Sequence, residues 1–137
     1  MTSFRLLRRD IKGASTVEIA LVLPVLILFI YGIFIVGTMF QANAGMQHAL
    51  GEGARLANLF PTPDNATIKA KIDAKVFGAA GGTFTSTVTD AGTTCNNPTG
   101  STNYKTLTVT YNMPVNFLFF SAPNLAISRC KTVYTAN

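Results

Sequence analysis

The chain has 137 residues, room for one modest domain, yet only 12% of them are charged and 48% are hydrophobic, where a soluble domain carries about 25% charge. The net charge of +5 suggests nucleic acid only until it is located: Arg5, Arg8, Arg9 and Lys12, offset by Asp10, place +3 of it before residue 14. The rest is scattered without an aromatic-basic stripe, so no nucleic-acid partner is expected, and no metal, cofactor or small-molecule substrate either.

Residues 19–40 form an uncharged run of 22. As a helix it would span about 33 Å, enough for a bilayer core. A cleaved secretory signal has a shorter apolar region and a small-residue cleavage site after it, whereas here residues 37–41 read Gly-Thr-Met-Phe-Gln. A buried core helix rarely needs so many uncharged residues. Basic residues directly before the run read as its cytoplasmic flank. Pro24 removes one backbone hydrogen bond inside the run and is expected to kink it, which membrane helices tolerate.

The helix is expected to continue to residue 60, because no proline intervenes and Met39, Met46, Leu50, Leu56 and Phe60 recur at helical spacing. Glu52 and Arg55 can pair across one turn. Gly45, Ala49, Gly53 and Ala57 fall at steps of four. Either they make a smooth ridge for a close neighbour, or the stretch is merely of low helical propensity. Pro61 and Pro63 end the helix.

A short helix is expected over 66–77, capped by Asp64 or Asn65, with Ile68, Ile72, Val76 and Phe77 on one side. Gly78 and the Gly81-Gly82 pair break it. Three strands follow, at 83–89, 105–113 and 125–135, rich in Thr, Val and Tyr with period-two alternation. Residues 92–103 are a polar loop carrying Cys95, and the apolar tip at Phe117 to Phe120 is read as core packing ahead of a partner contact. The fold class is α+β: a long N-terminal helix, a short helix and a small antiparallel meander packed on the extension of the long helix. Domain boundaries fall at 1–13, a basic leader; 14–60, the long helix; and 61–137, the head. With the basic end inside, Cys95 and Cys130 both lie in an oxidising compartment, and one intrachain disulfide is expected, contributing about 4 kcal/mol in the chain-entropy model.

Other candidate chemistry is thin. His48 is the only histidine and reads as a polar surface residue with no nucleophile beside it. Asp64, Asp73 and Asp90 lack calcium-loop spacing. The Asn65-Ala66-Thr67 acceptor is too short to weigh, and the glycines at 78–82 lack the lysine of a phosphate loop. No catalytic residue is assigned, and the chain is not expected to be an enzyme.

The sharpest local pattern is Lys12-Gly13-Ala14-Ser15-Thr16-Val17-Glu18. Ser15 to Glu18 is also a capping box that would open a helix. The whole pattern resembles a class III signal sequence, the prepilin-peptidase site of type IV and Tad pilins. There cleavage follows a glycine that ends a basic leader, and a glutamate is the fifth mature residue. Gly13, Ala14 and Glu18 match each feature. Gly13 through Pro24 is similar to the opening of TadE-like proteins, minor pilins of the Tad (Flp) pilus, with Ile19 where an aromatic is common. Gly51-Glu52-Gly53-Ala54-Arg55 is similar to that family's E-G-A-R segment. The resemblance implies a pilin-like structural subunit, cut between Gly13 and Ala14, with Glu18 acting in assembly. Its implied partners are other pilins and minor pilins, the prepilin peptidase, and the inner membrane with its pilus assembly platform. It also implies a single-pass protein with a periplasmic head, later at the pilus or cell surface, acting in pilus assembly and surface adhesion. The alternative is an uncleaved signal anchor presenting a small binding domain.

Overall fold

The computed structural model describes residues 11–90, 95, 103–116 and 123–135, with side chains from residue 15 onward. The leader before residue 11, most of the Cys95 loop and the Phe117 to Phe120 tip lie outside the described residues. The elements in order are α1 (Ile11–Ala57), α2 (Asn65–Lys75), β1 (Thr83–Asp90), β2 (Tyr104–Met113) and β3 (Leu125–Tyr134). This is the expected α+β arrangement of a long apolar helix, a short helix and a three-stranded antiparallel sheet. The chain divides into two units at Val36/Gly37.

The first unit is the apolar part of α1. Its helix begins at Ile11, so Ser15 is an interior position and the capping-box reading of Ser15 to Glu18 is corrected: helical backbone already precedes it. The helical assignment runs through Pro24, which supplies no amide to the carbonyl of Ala20.

The second unit is built on residues 37–57 of α1. The helix stops at Ala57 rather than residue 60; the chain closes with Asn58 N–H to Ala54 O and a tighter Leu59 N–H to Leu56 O bond, both 3.2 Å. The residue before a proline avoids helical backbone, which takes Phe60 out of the helix. The second helix also ends early, at Lys75, because Val76 turns extended (φ −72°, ψ 141°). Only Ile68 and Ile72 therefore form its buried row, while Phe77 is exposed and stacks edgewise near His48, with ring centroids 5.8 Å apart.

The sheet is a meander in the order β1-β2-β3. Its register aligns Phe84, Ser86 and Val88 of β1 with Tyr111, Val109 and Leu107 of β2, on the face toward α1 and α2. The opposite face carries rows of threonine, including Thr89-Thr106-Thr132. Leu107, Val109 and Tyr111 are fully buried, together with Met46, Ala49, Ile68 and Ile72. Tyr111 stacks on Phe84 at 4.8 Å and its hydroxyl donates to the Ala80 carbonyl at 2.8 Å.

The steps of four along α1 are a packing ridge. Gly45, Ala49, Gly53 and Ala57 are all buried. A methyl at Gly45 would enter the Phe77 carbonyl oxygen, with the Phe77 carbon and nitrogen at 2.9 and 3.0 Å. One at Gly53 would sit 2.5 Å from Ile72 Cγ1 and 3.0 Å from Leu107 Cδ2. Gly78, at φ +84°, lets the chain after α2 lie against the Gln41 backbone.

Gly45 and Gly51 are both helical glycines, so alanine gains about 1 kcal/mol of helix propensity at each. At Gly51 nothing stands within 4 Å, and Gly51→Ala is expected to stabilise. At Gly45 the obstacle is backbone, and Gly45→Ala is expected to destabilise by about 3 kcal/mol. Denaturant unfolding of the detergent-solubilised chain, followed by tyrosine fluorescence, separates the two.

Candidate functional site

The residues singled out near the start of the apolar run lie on the first unit. Gly13 and Ala14 are within continuous helical backbone. Beyond them the helix exposes apolar groups in every direction: Val17, Leu21, Val25, Phe29, Ile33 and Phe34, among others, are each more than half exposed. Its best window has mean hydropathy 3.0 and is only 6% buried. A soluble protein's core helix of that character would be covered, so this helix requires lipid or other helices around it. By length and composition it is one helix able to cross a membrane. Glu18 is exposed and is the only acidic residue between Ser15 and Gly51. It takes part in none of the ion pairs among the described residues.

In the second unit the titratable groups act as ties. Lys105 Nζ donates to Asp90 Oδ1 at 2.6 Å and to Asn65 Oδ1 at 2.5 Å, and Asn65 Nδ2 donates to Asp90 Oδ2 at 2.8 Å. The start of α2 is thereby fastened to the ends of β1 and β2, which is where the Asn65 side chain goes instead of capping the helix. Asp64 takes the cap position, and its carboxylate accepts from the Thr67 hydroxyl. Further along, Asp73 accepts from Lys69 at 2.7 Å and from the buried Ser86 hydroxyl. The hydrogen bond from Lys105, then that from Asn65, holds the Asp90 carboxyl below the usual aspartate range. For Asp73, burial pushes upward, and the bonds from Lys69 and Ser86 outweigh it. Glu52 and Arg55 pair at 3.2 Å, a surface contact of little weight. Cys95 and Cys130 are joined by a disulfide with Cα atoms 5.9 Å apart, pinning Cys95 to the threonine face beside Thr108.

Among the described residues no group of histidine, cysteine or acidic side chains could hold a metal. The sequence-level candidates stay apart: Gly13, Ala14, Glu18 and Pro24 lie on the first unit, and Cys95 and Cys130 lie on the second. Two features escaped the sequence reading. The Asn65-Asp90-Lys105 tie joins residues from three elements, and no local pattern reveals it. The cations Arg129 and Lys131 read as scattered charge. They break the alternation Leu125, Ile127, Val133 on one strand face, a signal that period-two counting could have found.

Residues 13–55 match the family model described as TadE-like protein; no curated protein and no solved structure matches the chain. The matched segment runs from Gly13 to Arg55, and so takes in Glu18, Pro24 and most of the small-residue ridge.

Because the folded carboxyl of Asp90 lies below its unfolded value, its tie stabilises above the ordinary aspartate value near about pH 4. That stability is lost as pH falls through the lower folded value. Lys105→Met is expected to cost under about 1 kcal/mol at pH 7, since the carboxylate is largely exposed. The difference from the wild type should vanish in acid, as read by unfolding titrations across pH.

Proposed function

We propose, from the match of residues 13–55 to the family model described as TadE-like protein, that the chain is a Tad pilus-associated protein, and specifically a minor pilin cut between Gly13 and Ala14 by a prepilin peptidase. The observation that carries this reading is a lone exposed carboxylate, Glu18, near the start of a helix that is apolar on every side, five residues after the glycine closing a basic leader.

Each part of the arrangement has a physical use. Cutting before the apolar segment removes the leader's cytoplasmic charge and keeps the helix on the protein. Ala14 then carries a free α-amine, protonated at pH 7 because its ordinary pKa is about 8. A carboxylate in the bilayer costs roughly 2.5–3.5 kcal/mol at mid-membrane on insertion scales, less toward the edge. Pairing Glu18 with the Ala14 amine of a neighbouring subunit offsets that cost, so the pair drives subunits from lipid into a helical bundle. Exposed apolar side chains supply the rest of the contact, by packing rather than by hydrophobic burial, since lipid tails are equally apolar. The head is carried outside the inner membrane and later at the pilus surface, with other pilins as neighbours and a role in assembly and adhesion. The chain is the substrate of an enzyme and carries out no reaction itself.

Intact mass and N-terminal sequence of the membrane-extracted protein, with and without a co-expressed prepilin peptidase, test the reading. The expected mature start is Ala14, dependent on the peptidase and blocked by Gly13→Val. A chain starting at Met1 in both cases would instead make it an uncleaved anchor for a small binding domain. Glu18→Gln is expected to leave cleavage and membrane insertion intact while reducing the protein recovered in sheared filaments at least about tenfold, the scale of a lost charge-assisted contact. Unchanged recovery would remove Glu18 from assembly.

A further inference from the structure

The register of β3 sets Arg129 opposite Val109 and Lys131 opposite Leu107. Both cations therefore stand on the face that packs toward α1, although both are exposed. They are exposed because α1 leaves a groove along β3. One cleft of about 410 Å³ is lined by Gln47 and Leu50 of α1 with Arg129, Cys130 and Lys131. A second, of about 350 Å³, adjoins it through Lys131 and lies between Ala54 and Arg55 of α1, Asn58 just after it, and the end of β3. Arg129 is aimed along the groove by its Nε bond to Asn43 Oδ1, 2.8 Å. No acidic residue lines either cleft among the described residues; Asp73 and Asp90 are tied on α2 and β1, and Glu52 is held by Arg55. Apolar residues at these two positions would have closed the groove against α1 and added buried area. The chain forgoes that burial.

β3 is also an edge: among the described residues it has a strand neighbour on one side only. Inward-pointing charge on an edge strand discourages indiscriminate strand pairing. It also selects what can pair. We propose that the β3 edge and the facing residues 43–57 of α1, with Asn58 after it, form a docking groove for an extended acidic segment of a different protein chain. That segment adds as a fourth strand, and two carboxylates two residues apart meet Arg129 and Lys131. Same-face residues along a strand are about 6.8 Å apart on both partners, and directly opposed side chains on neighbouring strands are within reach of an ion pair. Main-chain bonds supply affinity, and the two cations supply the choice of sequence. The partner is not a second copy: the acidic residues here are Asp10, Glu18, Glu52, Asp64, Asp73 and Asp90, and no two of them are two residues apart. The proposal concerns the head alone and stands whether or not the leader is removed.

The test uses the full chain in neutral detergent and a short synthetic peptide of alternating β-branched residues and glutamate, with two glutamates two residues apart. Binding should be followed by fluorescence anisotropy and by amide hydrogen exchange. The glutamate peptide is expected to bind with new protection along β3, and its glutamine counterpart at least about tenfold more weakly. Lys131→Glu should lose the glutamate peptide and bind one in which only the glutamate facing residue 131 is replaced by lysine, a gain that an unfolded variant cannot show. Equal binding of the glutamate and glutamine peptides, no binding of either, or protection away from β3 would overturn the proposal. So would protection of β3 induced without peptide by phosphatidylglycerol nanodiscs but not by phosphatidylcholine ones, since the groove would then read lipid headgroups.

Discussion

Two glycines, Gly45 and Gly53, set how closely the rest of the head can approach α1. At Gly45 the backbone of the chain after α2 occupies the space a side chain would need, and at Gly53 the Ile72 and Leu107 side chains do so. Everything else in the second unit is arranged around that approach. Ile68 and Ile72 reach the core only because α2 lies so near. Leu107 of the central strand meets the same ridge, and Tyr111 and Met46 fill the core of this unit without exposure. Each helical glycine costs about 1 kcal/mol in propensity. That cost is outweighed by a packed interface which a methyl group would hold open.

Polar ties complete what the ridge begins. A short helix lying on a sheet can slide or rotate with little loss of apolar contact, because hydrophobic contacts are not directional. Asn65 with Asp90 and Lys105 at one end, and Asp73 with Ser86 at the other, fix its position. On β3, Arg129 bonds Asn43 of α1, but neither it nor Lys131 meets a carboxylate among the described residues, and so the two edges of the sheet differ: the β1 side is closed by α2, and the β3 side is lined by charge and open space.

The first unit obeys a different rule. Most of its described side chains are exposed, so its stability and position depend on what surrounds it. Lipid satisfies the apolar groups but leaves the Glu18 carboxylate without a partner. A bundle of like helices would satisfy both.

The N-terminal segment was legible from its residues, because a run of apolar side chains, a leader's charge and a glycine-to-glutamate spacing are local properties written along one helix. The three strands and the meander followed from alternation and short connections, to within a residue or so at each end. The small-residue ridge was visible as spacing, but spacing alone left packing and low propensity equally open; only the Phe77 carbonyl seated at Gly45 decided between them. The end of α2 was misread by two residues because Val76 and Phe77 continue the apolar period while the backbone has already turned extended. Least legible were the Asn65-Asp90-Lys105 tie and the shared facing of Arg129 and Lys131. The tie joins residues far apart in the chain, and the facing of the cations matters only once the register of β3 sets them opposite Leu107 and Val109. Local periodicity therefore determined the elements and the membrane-suited helix. Tertiary structure alone decided which small residues are touched, which charges are tied and which edge is left open, because those depend on distances between segments that no single stretch of sequence contains.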